Sequence, residues 1–307
     1  MYDDLPLKTR LWRRFLYKVT KSNPELANQL KYFRANKKFL DLKNPKDFNE
    51  KVVWLNLNWQ SELIKICSDK IKVHDYARSK GLPEITNEVY TYADRAEDLD
   101  WESLPQKFVL KTNNASATNI VVLDKDNFDK AAAIAQLNEW LKINFSLHTS
   151  EMQYQHIDAK IFAEKFIESD EEIPTDYKFF CFNGEPKFLS VTTGRTAETL
   201  KEDLVKVHYD LDWNRIFIMK DDYEPDRSIE LEKPRNFDKM VESARVLAQD
   251  FSFVRVDFYE GDDEPVLGEM TFTPTAGKSQ DYTDEMLKTL GDWIELPDEI
   301  LKGFVYR

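Results

Sequence analysis

Apolar positions recur at helical spacing near the start of the chain. Leu11, Trp12, Phe15, Leu16 and Val19 fall at i, i+1, i+4, i+5 and i+8, one face of a helix. Arg10, Arg13, Arg14, Lys18 and Lys21 surround that face. Residues 1–60 read as mostly helical, with this face packed on the body and a solvated basic rim. The stretch SELIKICSDKIKVHDYARSKG (61–81) predicts one helix ended by Gly81. Pro83 opens an extended piece, and DRAEDLDWESLP is an acidic connector. The β-branched runs KFVLKT (107–112) and NIVVL (119–123) flank a polar turn and predict a hairpin. Residues 128–145 carry the strongest helical pattern, and 160–168 read as a strand. In 176–193 two strands flank Asn183-Gly184, a pair suited to a two-residue hairpin turn. A helix over 234–251, with Pro234 near its start, and two strands over 253–274 around an acidic turn complete the pattern. Antiparallel strand pairs with helices between them imply an α+β fold of two lobes.

Composition narrows the class. A chain of 307 residues accommodates one large or two medium domains. An apolar share of 42% is enough for a sizeable core, which excludes global disorder. No run approaches the ~18 apolar residues of a membrane span. The opening MYDDLPLKTRLWRRFLYKV has no uninterrupted apolar core or small-residue cleavage site, so it does not read as a secretory signal. A net charge of −13 argues against nucleic acid as a partner. Cys67 and Cys181 are far apart, which argues against a disulfide framework or zinc ribbon and suits a reducing cytoplasm. Residues 1–21 are the exception in charge. They hold six basic and two acidic side chains, +4 on an acidic protein. That invites a second expectation, peripheral contact with the inner face of a membrane.

Several familiar motifs are absent. Gly277-Lys278-Ser279 resembles the end of a phosphate-binding loop, but the Gly required five residues before Gly277 is Phe272. The four His show no metal spacing. Asp210-Leu211-Asp212 matches the two-aspartate pattern of metal-dependent glycosyltransferases, which makes a nucleotide-sugar transferase the alternative function.

The chemistry concentrates in residues 255–273. Arg255-Val256-Asp257-Phe258 and Glu269-Met270-Thr271-Phe272 alternate polar with apolar residues. At period 2, Arg255, Asp257, Glu269 and Thr271 share one strand face while Val256, Phe258, Met270 and Phe272 pack inward. Two carboxylates and a hydroxyl on one face form a hard oxygen site suited to Mg²⁺ held together with phosphates. Lys111 ends an apolar strand just before a turn of small residues, where its compact charge reaches anionic oxygens. Glu164-Lys165-Phe166-Ile167 ends a strand where the lobes meet, a place for a planar base.

Four elements in this order resemble a known family: Ser68-Asp69-Lys70, FVLKTNN (108–114), AEKFI (163–167) and RVDFYE…GEMTFTP (255–274). They resemble ATP-grasp enzymes. More closely, with DYKFFCFNGEPKF (176–188), Tyr209 to Trp213 and FTPTAG (272–277), they resemble the teichuronopeptide-biosynthesis (TupA-like) ATP-grasp family of bacterial surface-polysaccharide enzymes. The resemblance implies an ATP-grasp fold in which two α+β lobes clasp nucleotide, with a helical N-terminal extension. It implies a helical region over 1–60, a pre-ATP-grasp-like segment over 61–106, a small lobe over 107–170, and a C-terminal lobe with the metal site over 171–307. It implies ATP and Mg²⁺ as cofactors. Lys70, Lys111, Asn113 and Ser116 would contact phosphates, and Glu164, Lys165, Phe166 and Ile167 would hold adenine. Asp257, Glu269 and Thr271 would bind metal, Thr271 standing where the family often has Asn. Arg255 would stabilise transferred charge, and Lys178 and Arg195 would bind phosphate or a substrate carboxylate. The implied activity is carboxylate–amine ligation, with an amino acid and a uronic-acid-containing glycan as substrates. One departure is the phosphate loop, Lys111-Thr112-Asn113-Asn114-Ala115-Ser116-Ala117. Ala occupies both family Gly positions and Asn114 the His position, so a stiffer loop is expected, and a non-catalytic binding relative is a further alternative.

Overall fold

The computed structural model describes residues 6–169, 171–195 and 204–301. Three helices come first: α1 (Leu7–Ser22), α2 (Pro24–Asn36) and α3 (Phe48–Asn58). Local chemistry sets their starts. Asn23 caps α2 by accepting from the Leu26 amide at 2.9 Å, with Pro24 at the first helical position. Asp47 and Glu50 form a reciprocal capping box at α3.

The single helix expected over 61–81 is two: α4 (Glu62–Ser68) and α5 (Val73–Ser79). The carboxylate of Asp69 accepts from the amides of Ile71 (2.9 Å) and Lys72 (3.3 Å), which competes with the helical ladder and breaks it. The break turns Lys70 toward the cleft, and its amide donates to the Asn113 carbonyl at 3.1 Å.

The small lobe is a four-stranded antiparallel sheet in the order β1 (Val89–Ala93), β4 (Ile161–Lys165), β2 (Phe108–Thr112), β3 (Asn119–Val122). Strand β1 joins it from the segment before 107. Phe108, Leu110, Ile161 and Ala163 pack against Ala133 and Leu137 of α6 (Lys130–Leu141). The expected helix over 128–145 ends at Leu141, and a short α7 (Phe145–Thr149) follows.

The large lobe is a six-stranded sheet in the order β10 (Val266–Thr271), β9 (Phe253–Tyr259), β5 (Asp176–Phe182), β6 (Glu185–Thr193), β7 (Val205–Tyr209), β8 (Arg215–Ile216). Asn183 (φ 48°) and Gly184 (φ 84°) make the β5–β6 turn, both in the left-handed region that this tight hairpin needs. One face carries Phe179, Cys181, Val191, Val256 and Phe258 and packs on α8 (Phe237–Ala248), α4 and α5. The other face is divided. Phe180, Phe182, Phe188 and Phe253 lie under α3 and α9 (Asp284–Asp292), and the rest is polar and opens toward the small lobe.

Helix α1 departs from expectation. Leu16 and Thr20 are its buried residues, whereas Leu11 and Phe15 are exposed. The anchor is polar: the Thr20 hydroxyl donates to the Leu16 carbonyl and pairs with the Ser150 hydroxyl at 2.9 Å. Apolar periodicity alone does not register such an anchor. Residues 1–5 of the basic segment lie outside the described residues.

Candidate active site

The site is laid out by strand register. Glu269 on β10 stands opposite Asp257 on β9, Asp257 opposite Lys178 on β5, Lys178 opposite Ser190 on β6, and Ser190 opposite His208 on β7. One polar row thus crosses five strands. A second runs Asp176–Thr192–Lys206, and a third begins Thr271–Arg255. A bulge between Leu267 and Glu269 brings the acid into the row.

Arg255 grips Asp257 with two hydrogen bonds, Nε to Oδ1 at 2.7 Å and Nη2 to Oδ2 at 2.6 Å, a bidentate pair. Its Nη2 also reaches the Thr271 hydroxyl at 3.1 Å, and that hydroxyl donates to Glu269 Oε1 at 3.0 Å. Lys70 donates to the other Glu269 oxygen. Burial alone would raise the Glu269 pKa, but Lys70 and Arg255 outweigh it and hold the carboxylate well below its ordinary range. Lys178 reaches Asp257 at 3.3 Å.

Lys111, at the end of β2, pairs with Glu164 on β4. A cleft of about 650 Å³ joins the lobes and is lined by Lys70, Lys111, Thr118 and Asn119 on one side. On the other lie Asp176, Lys178, Arg195, Asp257 and Glu269. The structure therefore gathers Lys70, Lys111, Glu164, Lys178, Arg195, Arg255, Asp257, Glu269 and Thr271 into one neighbourhood. The expected phosphate-loop and hinge residues stand differently. Asn113 uses both ends of its amide to hold the loop, donating to the Asp158 carbonyl and accepting from the Lys160 amide. Ser116 faces the phenol of buried Tyr154. Lys165, Phe166 and Ile167 do not line the cleft. The Lys165 carbonyl accepts from Asn87, and Phe166 packs near Lys107. In the loop, Ala117 takes φ 57°, a conformation costly for any residue with a Cβ.

Asp210 is employed elsewhere. Its carboxylate accepts from the amides of Asp212 and Asn214 and from the Asn214 side chain, closing its own turn. Neither Asp210 nor Asp212 lines the cleft.

Sequence reasoning missed four polar residues here. Asp176 is buried and bridges Lys178 (3.0 Å) and Arg195. Its signal was the same period 2 that marks Lys178. Tyr259 sits two residues beyond Asp257, with its phenol held well above its ordinary pKa by Asp176 and then by burial. Ser190 and Lys206 line a neighbouring pocket of about 330 Å³ with Lys178, Arg195, Arg255 and Thr192. Nothing in SVTT or VKVHY distinguishes them from ordinary strand residues.

The donor set fits Mg²⁺ chemically. Asp257, Glu269 and Thr271 offer hard oxygens on one face. Among the described residues, no three His, Cys, Asp or Glu side chains cluster so as to hold an ion by themselves. A cation bound on this face would need further ligands, such as phosphate oxygens.

Two antiparallel sheets facing each other across a cleft, with lysines on one wall and opposed carboxylates on the other, define the ATP-grasp class of fold. The chain belongs to the TupA-like ATPgrasp family, which it matches over residues 50–295. No curated protein matches it in sequence. Among solved structures it is similar to D-alanine–D-alanine ligase from Bacillus anthracis complexed with ATP, at 15% identity and a TM-score of 0.44, covering 75% of this chain and 65% of that one. It is also similar to N5-carboxyaminoimidazole synthase from Aspergillus clavatus in complex with ADP and 5-aminoimidazole ribonucleotide, at 16% identity and a TM-score of 0.42, covering 69% and 45%. The chain spans slightly less than two thirds of the first ligase. Among the described residues, no helix is long and apolar enough to cross a membrane.

Proposed function

We propose that the protein is an ATP-dependent carboxylate–amine ligase acting on surface polysaccharide, joining an amino acid to a uronic-acid carboxyl through an acylphosphate. The observation that carries this reading is the opposition of Asp257 and Glu269 across β9 and β10, with Lys70 on Glu269 and Lys111 in the same cleft. In this reading a carboxylate oxygen of the acceptor attacks the γ-phosphorus of ATP. The bond to the β–γ bridging oxygen breaks and ADP leaves. The amine nitrogen then attacks the acyl carbon, inorganic phosphate departs, and the amine proton passes to solvent.

Each approach brings anions together, so the residues must offset repulsion. Lys70 and Lys111 hold the phosphates, Glu164 beside Lys111 holds the adenosine, and Arg255 neutralises charge on the transferred phosphoryl group. Asp257, Glu269 and Thr271 would hold Mg²⁺, which would neutralise charge on the phosphates when bound. The pocket of Lys178, Arg195, Lys206, Ser190 and Thr192 suits the acceptor, since its cations match a carboxylate and its hydroxyls match a sugar. The charge of +4 over residues 1–21 supports a setting at the inner face of a membrane. No observation favours the transferase alternative, because Asp210 is committed to its turn.

The test is ADP release in the presence of Mg²⁺, a glucuronate-containing oligosaccharide and a panel of amino acids. The wild type should release ADP over repeated turnovers only with both co-substrates. Asp257→Asn and Glu269→Gln should each lose about a hundredfold or more. Equal turnover in the variants overturns the metal assignment, and no acceptor-dependent ADP overturns the ligase.

A further inference from the structure

The surface of α1 carries a pattern that the fold does not use. The helix is docked by one side, where Leu16 and Thr20 are buried against α2 and α7. On the opposite side Leu7, Leu11 and Phe15 are 62%, 55% and 48% exposed. At about 100° per residue these three fall within an arc of about 80° and form a continuous apolar stripe. Arg14 borders one edge of the stripe and Lys8 the other, and Lys18 lies beyond its C-terminal end. The helix holds six cationic side chains and no carboxylate, on a chain of net charge −13.

Such an arrangement is not needed for folding. Solubility favours polar residues at exposed positions, and charge balance in an acidic protein favours mixed signs. An apolar stripe framed by cations matches a surface that is anionic outside and apolar a few ångströms deeper. We infer that α1 docks in the plane of an anionic lipid surface, with Leu7, Leu11 and Phe15 entering the acyl boundary and the basic rim on the headgroups. A second copy of the chain fits worse, since a two-fold contact through this stripe sets one basic rim against another. The helix is tied inward as well: Ser150, its partner, precedes Glu151, whose carboxylate accepts from Thr273 at 2.6 Å. The inference rests on exposure and charge at α1 and stands apart from the ligase reading.

The experiment is flotation of the full chain with vesicles of phosphatidylcholine, with and without about a third of phosphatidylglycerol. The wild type should float with the anionic vesicles and stay behind with the neutral ones, and salt should release it. Leu11→Ser/Phe15→Ser and Arg14→Gln/Lys18→Gln should each lower the bound fraction about tenfold while keeping the wild-type melting temperature. The inference is overturned if the wild type fails to float, if neutral vesicles carry it equally, or if either double variant floats like the wild type. It is also overturned if light scattering without lipid shows a dimer that Leu11→Ser/Phe15→Ser disperses.

Discussion

At the scale of single residues, His208 is the most exposed to test. It is fully buried between the rings of Phe188 and Tyr282, and neither ring nitrogen has a hydrogen-bond partner among the described residues. Burial, then Lys206 and Arg215, hold its imidazole neutral, well below its ordinary pKa of 6.5. In the unfolded chain it takes up a proton as the pH falls past 6.5, and in the fold it does not. This contribution to stability is therefore complete above 6.5 and drains as the pH falls below it. His208→Leu should raise stability by about 1 kcal/mol at neutral pH, because a buried group without a partner costs about that much. Urea denaturation should also show a shallower loss for the variant below pH 6.5. A variant less stable than wild type at every pH contradicts this account of the site. Residues of this kind were opaque in the sequence, because VKVHY looks like any strand. Arg255, Asp257, Glu269 and Thr271 were legible, since alternation along a strand is local and needs no knowledge of register. Asp176, Ser190 and Lys206 join them only through pairing between strands distant in sequence.

Among elements, the β9–β10 hairpin carries the opposed acids Asp257 and Glu269. Gly268 lies in its bulge, and a Cβ there would meet the Tyr259 ring at 2.8 Å and the Asp257 carbonyl at 3.3 Å. Gly268→Ala must push Tyr259 aside or shift β10, which moves Glu269 relative to Asp257. We expect a loss of about 1–3 kcal/mol in urea denaturation, with a larger proportional loss of ADP release than the stability change explains. A variant with unaltered turnover would show that the hairpin tolerates displacement and that the opposition of its acids is not needed. The hairpins were readable from turn chemistry: Asn183-Gly184 takes the positive φ values that the pair suggests. The split between α4 and α5 was not, because Asp69 competes with the helix through a side-chain bond that periodicity does not register. Helix α1 misled for a related reason, its buried pivot being a threonine.

The whole molecule is two sheets that present unlike chemistry to one cleft. The small lobe brings Lys111 and Glu164, the large lobe brings Asp257, Glu269, Arg255, Lys178 and Asp176, and the helix break between them brings Lys70. The fold class was legible because the ordered motifs are each short and local. The smaller pocket beside the cleft was not, since Lys178, Ser190 and Lys206 meet only when β5, β6 and β7 lie side by side. The loop after Lys111 holds Ala117 in a left-handed conformation that glycine adopts freely.

The most direct test of the central claim follows an oxygen atom. A glucuronate oligosaccharide labelled with ¹⁸O in its carboxyl groups is incubated with the full chain, ATP, Mg²⁺ and the amino acids that support ADP release. If the carboxylate is phosphorylated in this cleft, one labelled oxygen per turnover appears in the inorganic phosphate, and Glu269→Gln abolishes the transfer together with ADP release. Unlabelled phosphate alongside amide product contradicts the acylphosphate route, and labelled phosphate formed equally well by Glu269→Gln contradicts the placement of the chemistry at Asp257 and Glu269.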